Sequence, residues 1–210
     1  MNKRFLLNQT LSGFLILVTL IGCTKSEQKR TVGVLADSAM VVCAHPAAAE
    51  IGLSILKKGG NAIDAAVATE LALMIGFPEA GNIGGGGFLI FRDSVGNTYA
   101  LDFREKAPGA ATTDMYLDKD GNVIPGLSIS GHLAAGVPGT VDGLFTAHQR
   151  FGRLPWKDLV QPTIDLAKTG IALTKRAASN LNRIQEDLRK YNTIQPDYLL
   201  GNWKEGDTLK

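Results

Sequence analysis

The chain has 210 residues, 45% of them hydrophobic and 20% charged, with a formal net charge of +2. This is the composition of an ordinary globular protein, with enough chain for one domain around a real core. The lysines and arginines are scattered without interleaved aromatics, which argues against a nucleic-acid partner.

Lys3 and Arg4 precede an apolar run over 11–21, interrupted only by Ser12, Gly13 and Thr19. That run is too short to span a bilayer comfortably and reads as an export signal. It ends in Leu20-Ile21-Gly22-Cys23, which resembles a bacterial lipobox, in which the cysteine is acylated and becomes the mature N-terminus. The expected organisation is a lipoprotein signal peptide over 1–22, a polar tether over 23–38 and one domain over 39–210. The expected location is the bacterial cell envelope, with the lipid on Cys23 as the membrane anchor. Cys43 is then the one remaining cysteine, so no disulfide can form within the chain.

Met40 to Ala44 is a short apolar run that predicts a buried strand, with Cys43 acting as a small hydrophobe. Pro46 suits the first turn of a helix running to Lys58, closed by Gly59-Gly60. Asn61 predicts the cap of a second helix, with Asp64 favourably placed against its dipole. From Ala62 to Met74 this helix is apolar on nearly every face, as a helix enclosed by other layers must be. Gly84 to Gly87 lead into the strand-like Phe88-Leu89-Ile90-Phe91. A phosphate loop needs the reverse order, strand then glycines then helix, so a nucleotide site is not indicated. The turn at Asp93–Asn97 predicts a hairpin of 88–92 with 98–103. Further on, 115–126 reads as a polar loop or short hairpin, and Pro138-Gly139 as a tight turn. Thr140 is expected to cap a helix reaching Arg150. Helices are also expected over 156–168, containing Pro162 and ended by Gly170, and over 174–190, with Leu181, Ile184 and Leu188 inward.

Arg104 stands just past the second hairpin strand, in Asp102-Phe103-Arg104-Glu105-Lys106-Ala107-Pro108. A guanidinium is permanently charged and presents a planar fork suited to a carboxylate. By spacing alone, the favoured reading is that it pairs with Asp102 and Glu105 in a solvated charge cluster, since most surface charges have no further role. His45, His132 and His148 lack metal-ligand spacing, so no metal is expected. Ser128 and Ser130 have no nucleophile-elbow pattern around them.

Six stretches carry a family resemblance, in order along the chain. They are Ala44-His45-Pro46; Gly59-Gly60-Asn61-Ala62-Ile63-Asp64-Ala65-Ala66-Val67-Ala68; Ile83-Gly84-Gly85-Gly86-Gly87-Phe88; Leu101-Asp102-Phe103-Arg104-Glu105 with Ala107-Pro108; Gly136-Val137-Pro138-Gly139-Thr140-Val141; and Gly152-Arg153-Leu154-Pro155-Trp156. Together they resemble the N-terminal part of the large subunit of γ-glutamyltransferases (γ-glutamyltranspeptidases, glutathione hydrolases). The resemblance implies an α+β fold, the four-layer α/β/β/α sandwich of N-terminal-nucleophile hydrolases, with only its N-terminal portion present.

It also implies a precursor that cuts itself before a threonine, which then attacks the γ-glutamyl amide with its own amine as base. That threonine belongs to the C-terminal small subunit, so no catalytic residue is expected in this chain, which reads as a truncated large subunit. Thr112-Thr113 lacks the histidine that follows the family's threonine pair. The implied substrates are glutathione and other γ-glutamyl compounds, the implied partner is the small subunit, and no cofactor is implied. Arg104 matches the residue that holds the glutamyl α-carboxylate, with Asp102 and Glu105 orienting it or supporting its loop. Two other functions stay open: a related acylase resembling cephalosporin acylases, and a non-catalytic lipid-anchored binding protein.

Overall fold

A computed structural model describes residues 33–81, 83–194 and 201–209. The expected signal peptide, and Cys23 with it, lie outside the described residues. Ser38–Lys210 forms one compact unit.

Helix α1 (Pro46–Lys57) begins with proline in its first turn and is capped by His45, whose Nδ1 accepts the Ala47 N–H at 3.2 Å. Gly59 follows with φ 90°, a left-handed conformation that glycine adopts without a steric penalty. Helix α2 (Ala62–Gly76) runs two residues further than the sequence predicts. Its N-terminus is a complete capping box: Asn61 Oδ1 accepts the N–H groups of Ile63 and Asp64, and Asp64 Oδ2 accepts that of Asn61. Ten of its 15 residues are buried, as its all-round apolar pattern requires.

The hairpin forms as expected. Strand β1 (Phe88–Arg92) pairs antiparallel with β2 (Thr98–Asp102), Phe88 opposite Asp102 and Arg92 opposite Thr98. Leu89, Phe91 and Leu101 face the core, while Phe88 and Ile90 point outward, 64% and 73% exposed. The 115–126 segment carries one antiparallel bridge, Leu117 to Val123.

Helix α3 (Thr140–Phe151) differs at its start from the expectation. Gly139 is the N-cap and makes no side-chain cap, so Thr140 is the first helical residue and lies buried at 3% exposure. Helix α4 (Trp156–Thr169) carries Pro162 inside it and ends at Gly170, φ 80°. Helix α5 (Lys175–Tyr191) is capped by the Thr174 hydroxyl. Its buried positions are Ala178, Leu181 and Gln185, so a polar residue takes a place the sequence assigns to Ile184 and Leu188, both only half-buried. Two short strands were not foreseen, β3 (Ile171–Ala172) and β4 (Thr208–Leu209), paired antiparallel.

The core lies where α1 packs on α2 and α2 packs on α3 and α4. Ile55, Val67, Leu71, Leu144, Ala147 and Leu159 form its centre. An aromatic group links hairpin and helices: the Tyr99 and Phe151 rings lie 4.7 Å apart and those of Phe91 and Phe151 5.1 Å.

The segment Met40–Ala44 is a correction. It alternates between half-buried and exposed residues, Val42 reaching 82% exposure, and it belongs to no strand. An apolar β-branched run favours extended backbone, but a strand also needs a partner, and none of the described residues supplies one. Cys43 is accordingly half-buried, its thiol donating to the His45 carbonyl at 3.2 Å.

Candidate active site

Arg104 sits where three segments meet. The β1–β2 ladder extends one bond past Asp102, with the Phe103 N–H donating to the Gly87 carbonyl at 3.0 Å. The Gly85 carbonyl accepts the N–H groups of Gly139 (2.9 Å) and Thr140 (3.1 Å), tying the glycine loop to the start of α3. On the far side of Arg104, Lys106 and Val137 exchange two backbone bonds of 3.1 and 2.8 Å. The backbone on either side of Arg104 is therefore fixed to residues both 15 to 20 positions before it and more than 30 after it.

The Arg104 side chain is exposed, its guanidinium lying 5.8 Å above the Phe88 ring. Among the described residues, that guanidinium makes no ion pair or hydrogen bond. The neighbours that a solvated charge cluster would use are otherwise placed. Asp102 turns a carboxylate oxygen to the Arg104 backbone N–H at 3.0 Å, supporting the loop and leaving the fork free. Glu105 is exposed. The backbone beneath Arg104 is thus held in place, while its guanidinium keeps its hydrogen-bond donors available to solvent or to an acceptor.

The three histidines remain apart. His45 caps α1, and His132 lies in a single 3-10 turn, His132–Ala134. His148 Nε2 is 2.7 Å from the Leu154 carbonyl oxygen; a carbonyl only accepts, so this nitrogen carries the proton. Among the described residues, no group of three His, Cys, Asp or Glu side chains could hold a metal ion.

Asp64, expected at the start of α2, has long-range partners that the sequence reading did not foresee. Asp64 is fully buried, and beyond its part in the capping box it accepts the N–H groups of Arg153 and Leu154. Asn61 Nδ2 donates to the Phe151 carbonyl, so the 61–64 and 151–154 stretches form one lock between α2 and the α3–α4 turn. Residues 61–64 and 152–154 fall in two of the stretches that carry the family resemblance, and that was the available signal. Along α2 lies an open groove of about 680 Å³ between the helix and residues 39–44. It holds Glu70, whose pKa burial raises above the ordinary carboxylate value, and the buried Thr69 hydroxyl, which has no hydrogen-bond partner among the described residues.

A family model described as gamma-glutamyltranspeptidase matches residues 48–210. The chain belongs to the gamma-glutamyltranspeptidase family. It is 51% identical over 176 residues to the glutathione hydrolase proenzyme of Pseudomonas aeruginosa, covering 82% of this chain and 30% of that protein. The crystal structure of Helicobacter pylori gamma-glutamyltranspeptidase superposes with a TM-score of 0.78 at 44% identity, covering 84% of this chain and 52% of that one. The cephalosporin acylase of Bacillus halodurans follows at a TM-score of 0.61 and 25% identity, over 80% of this chain and 32% of that one. The chain spans under a third of the length of the curated relatives it matches. Its helices and few strands are thus part of the α+β N-terminal-nucleophile hydrolase fold that these gamma-glutamyltranspeptidases share.

Proposed function

We propose that this chain is the N-terminal part of the large subunit of a glutathione hydrolase, which cleaves γ-glutamyl amides such as glutathione. Arg104 grips the α-carboxylate of the glutamyl group. The nucleophile is the threonine freed by self-cleavage at the start of the small subunit, with its own amine as base. Attack on the γ-carbonyl expels the amine and leaves a γ-glutamyl ester, which water or an amino-acid or peptide acceptor then resolves. The partner of this chain is that small subunit. The observation that carries the reading is the Arg104 guanidinium, which among the described residues makes no ion pair or hydrogen bond and rests only over the Phe88 ring, on a backbone tied to the 85–87 and 136–140 segments. Higher identity to gamma-glutamyltranspeptidases than to a cephalosporin acylase favours a glutamyl over another acyl group.

The mature protein is lipid-anchored at Cys23 in the bacterial cell envelope, a reading that rests on the basic start, the apolar run and the Gly22-Cys23 junction. The test is to express the complete precursor and follow it by mass. Cleavage ahead of a threonine together with release of aniline from a γ-glutamyl anilide is expected. An intact chain with no turnover would point to the non-catalytic binding protein instead.

A further inference from the structure

Three glycines around Arg104 are not explained by their backbone angles. Gly139 has φ −117°, Gly143 lies inside α3, and Gly86 is absent from the positive-φ glycines, so any residue could adopt these conformations. Inside a helix, alanine would be favoured over glycine at position 143. What the three share is their neighbour. A methyl group on Gly86 would lie 2.6 Å from the Arg104 Cα and 2.7 Å from the Phe103 carbonyl oxygen. On Gly139 it would overlap that same carbonyl oxygen, and on Gly143 it would overlap the Cβ and ring of Phe103. Real Cβ atoms do not approach this closely, and most of these contacts are to backbone, which cannot swing aside.

We infer that Gly86, Gly139 and Gly143 are positioning residues for carboxylate recognition: the space of three missing side chains seats the Phe103–Arg104 peptide and so places the guanidinium. The inference rests on the proposed role of Arg104. The hydrogen bonds from Gly139 and Thr140 to the Gly85 carbonyl close the seat from outside, and Phe103 fills it from within. A side chain at any of the three pushes the 103–104 backbone outward and carries the fork away from its target. Helix α3 is thereby coupled to substrate binding although none of its residues need touch substrate.

The test uses the complete precursor with Gly86→Ala, Gly139→Ala, Gly143→Ala, Arg104→Ala and the double variant Gly143→Ala/Arg104→Ala. Gly109→Ala is the control, because a methyl there meets nothing within 4 Å. Each is assayed with a γ-glutamyl anilide and with the analogue lacking the α-carboxylate, and self-cleavage reports folding. The glycine variants should lose roughly tenfold to a hundredfold in kcat/KM on the first substrate, mainly through KM, since a misplacement of about 1 Å costs that much. They should keep wild-type turnover of the analogue, and the double variant should be no worse than Arg104→Ala. A glycine loss equal on both substrates, or no loss, while Arg104→Ala stays selective, overturns the seat and leaves the carboxylate role standing. A non-selective Arg104→Ala overturns both. Failure of self-cleavage in all three glycine variants makes them elements of folding alone and overturns the inference as well.

Discussion

Asp64 accepts the backbone N–H of Arg153 with both carboxylate oxygens, at 3.0 and 3.1 Å, across 89 positions of sequence. With Asn61 and Leu154 it closes a ring of hydrogen bonds inside the core. A fully buried carboxylate is tolerated only when its lone pairs are so occupied. Asp64→Asn keeps the shape but turns an NH2 group towards N–H donors, leaving buried groups unsatisfied at about 1–3 kcal/mol each. For a chain of this size, each lost kcal/mol should lower Tm by roughly 2–4 °C. Thermal denaturation followed by circular dichroism checks this; an unchanged Tm would mean that water replaces the lost acceptor.

Glu70 should make stability fall as pH rises. Burial raises its folded pKa above the ordinary carboxylate value, so the folded state holds the proton over a range in which the unfolded chain has released it. The stabilising contribution is complete below the unfolded pKa and is lost as pH rises through the folded one. Glu70→Gln, which mimics the protonated form, should therefore melt with the wild type in acid and above it at neutral pH. A constant gap between the two melting curves across pH would refute the assignment.

Cys23→Ser should move the protein from the membrane fraction to the soluble one, with loss of acyl mass from the N-terminal peptide. One chain anchors only marginally while several hold stably, so the wild type should resist washing with salt. Unchanged fractionation of the variant would remove the lipid anchor from the account.

The hairpin and α2 were legible because their signals are local: a polar turn between alternating runs, and an Asn cap before fifteen mostly apolar residues. The strand expected at Met40–Ala44 failed because extended backbone is a local property and pairing is not. Gly139 took the cap assigned to Thr140 because the Gly85 carbonyl binds both N–H groups there, a long-range contact. The same holds at the candidate site. Arg104 could be picked out from its residue type, strand-end position and resemblance. The Asp102 bond to the Arg104 N–H is local, but that Phe103 and Arg104 would lie against Gly86, Gly139 and Gly143 depends on segments brought together from 85–87 and 136–143. Sequence marks those glycines and cannot say what approaches them.

This chain by itself, residues 24–210, should release no product from a γ-glutamyl anilide, because the proposed mechanism puts the threonine nucleophile in the small subunit. Measurable turnover by the purified chain would place the nucleophile within it and undo the proposed division of labour.

The role of Arg104 in the complete precursor is the claim most directly open to measurement. Arg104→Lys keeps the charge but loses the fork, and Arg104→Ala loses both. A charge-assisted pair is worth about 1.5–3 kcal/mol, so the alanine variant should lose roughly one to two orders of magnitude in kcat/KM, the lysine variant less. The decisive comparison is kcat/KM of wild type and Arg104→Ala on a γ-glutamyl anilide and on its analogue without the α-carboxylate. The account predicts a large loss on the first and near-equal rates on the second, with self-cleavage intact. Equal losses on both substrates would contradict it and reduce Arg104 to a support of its own loop.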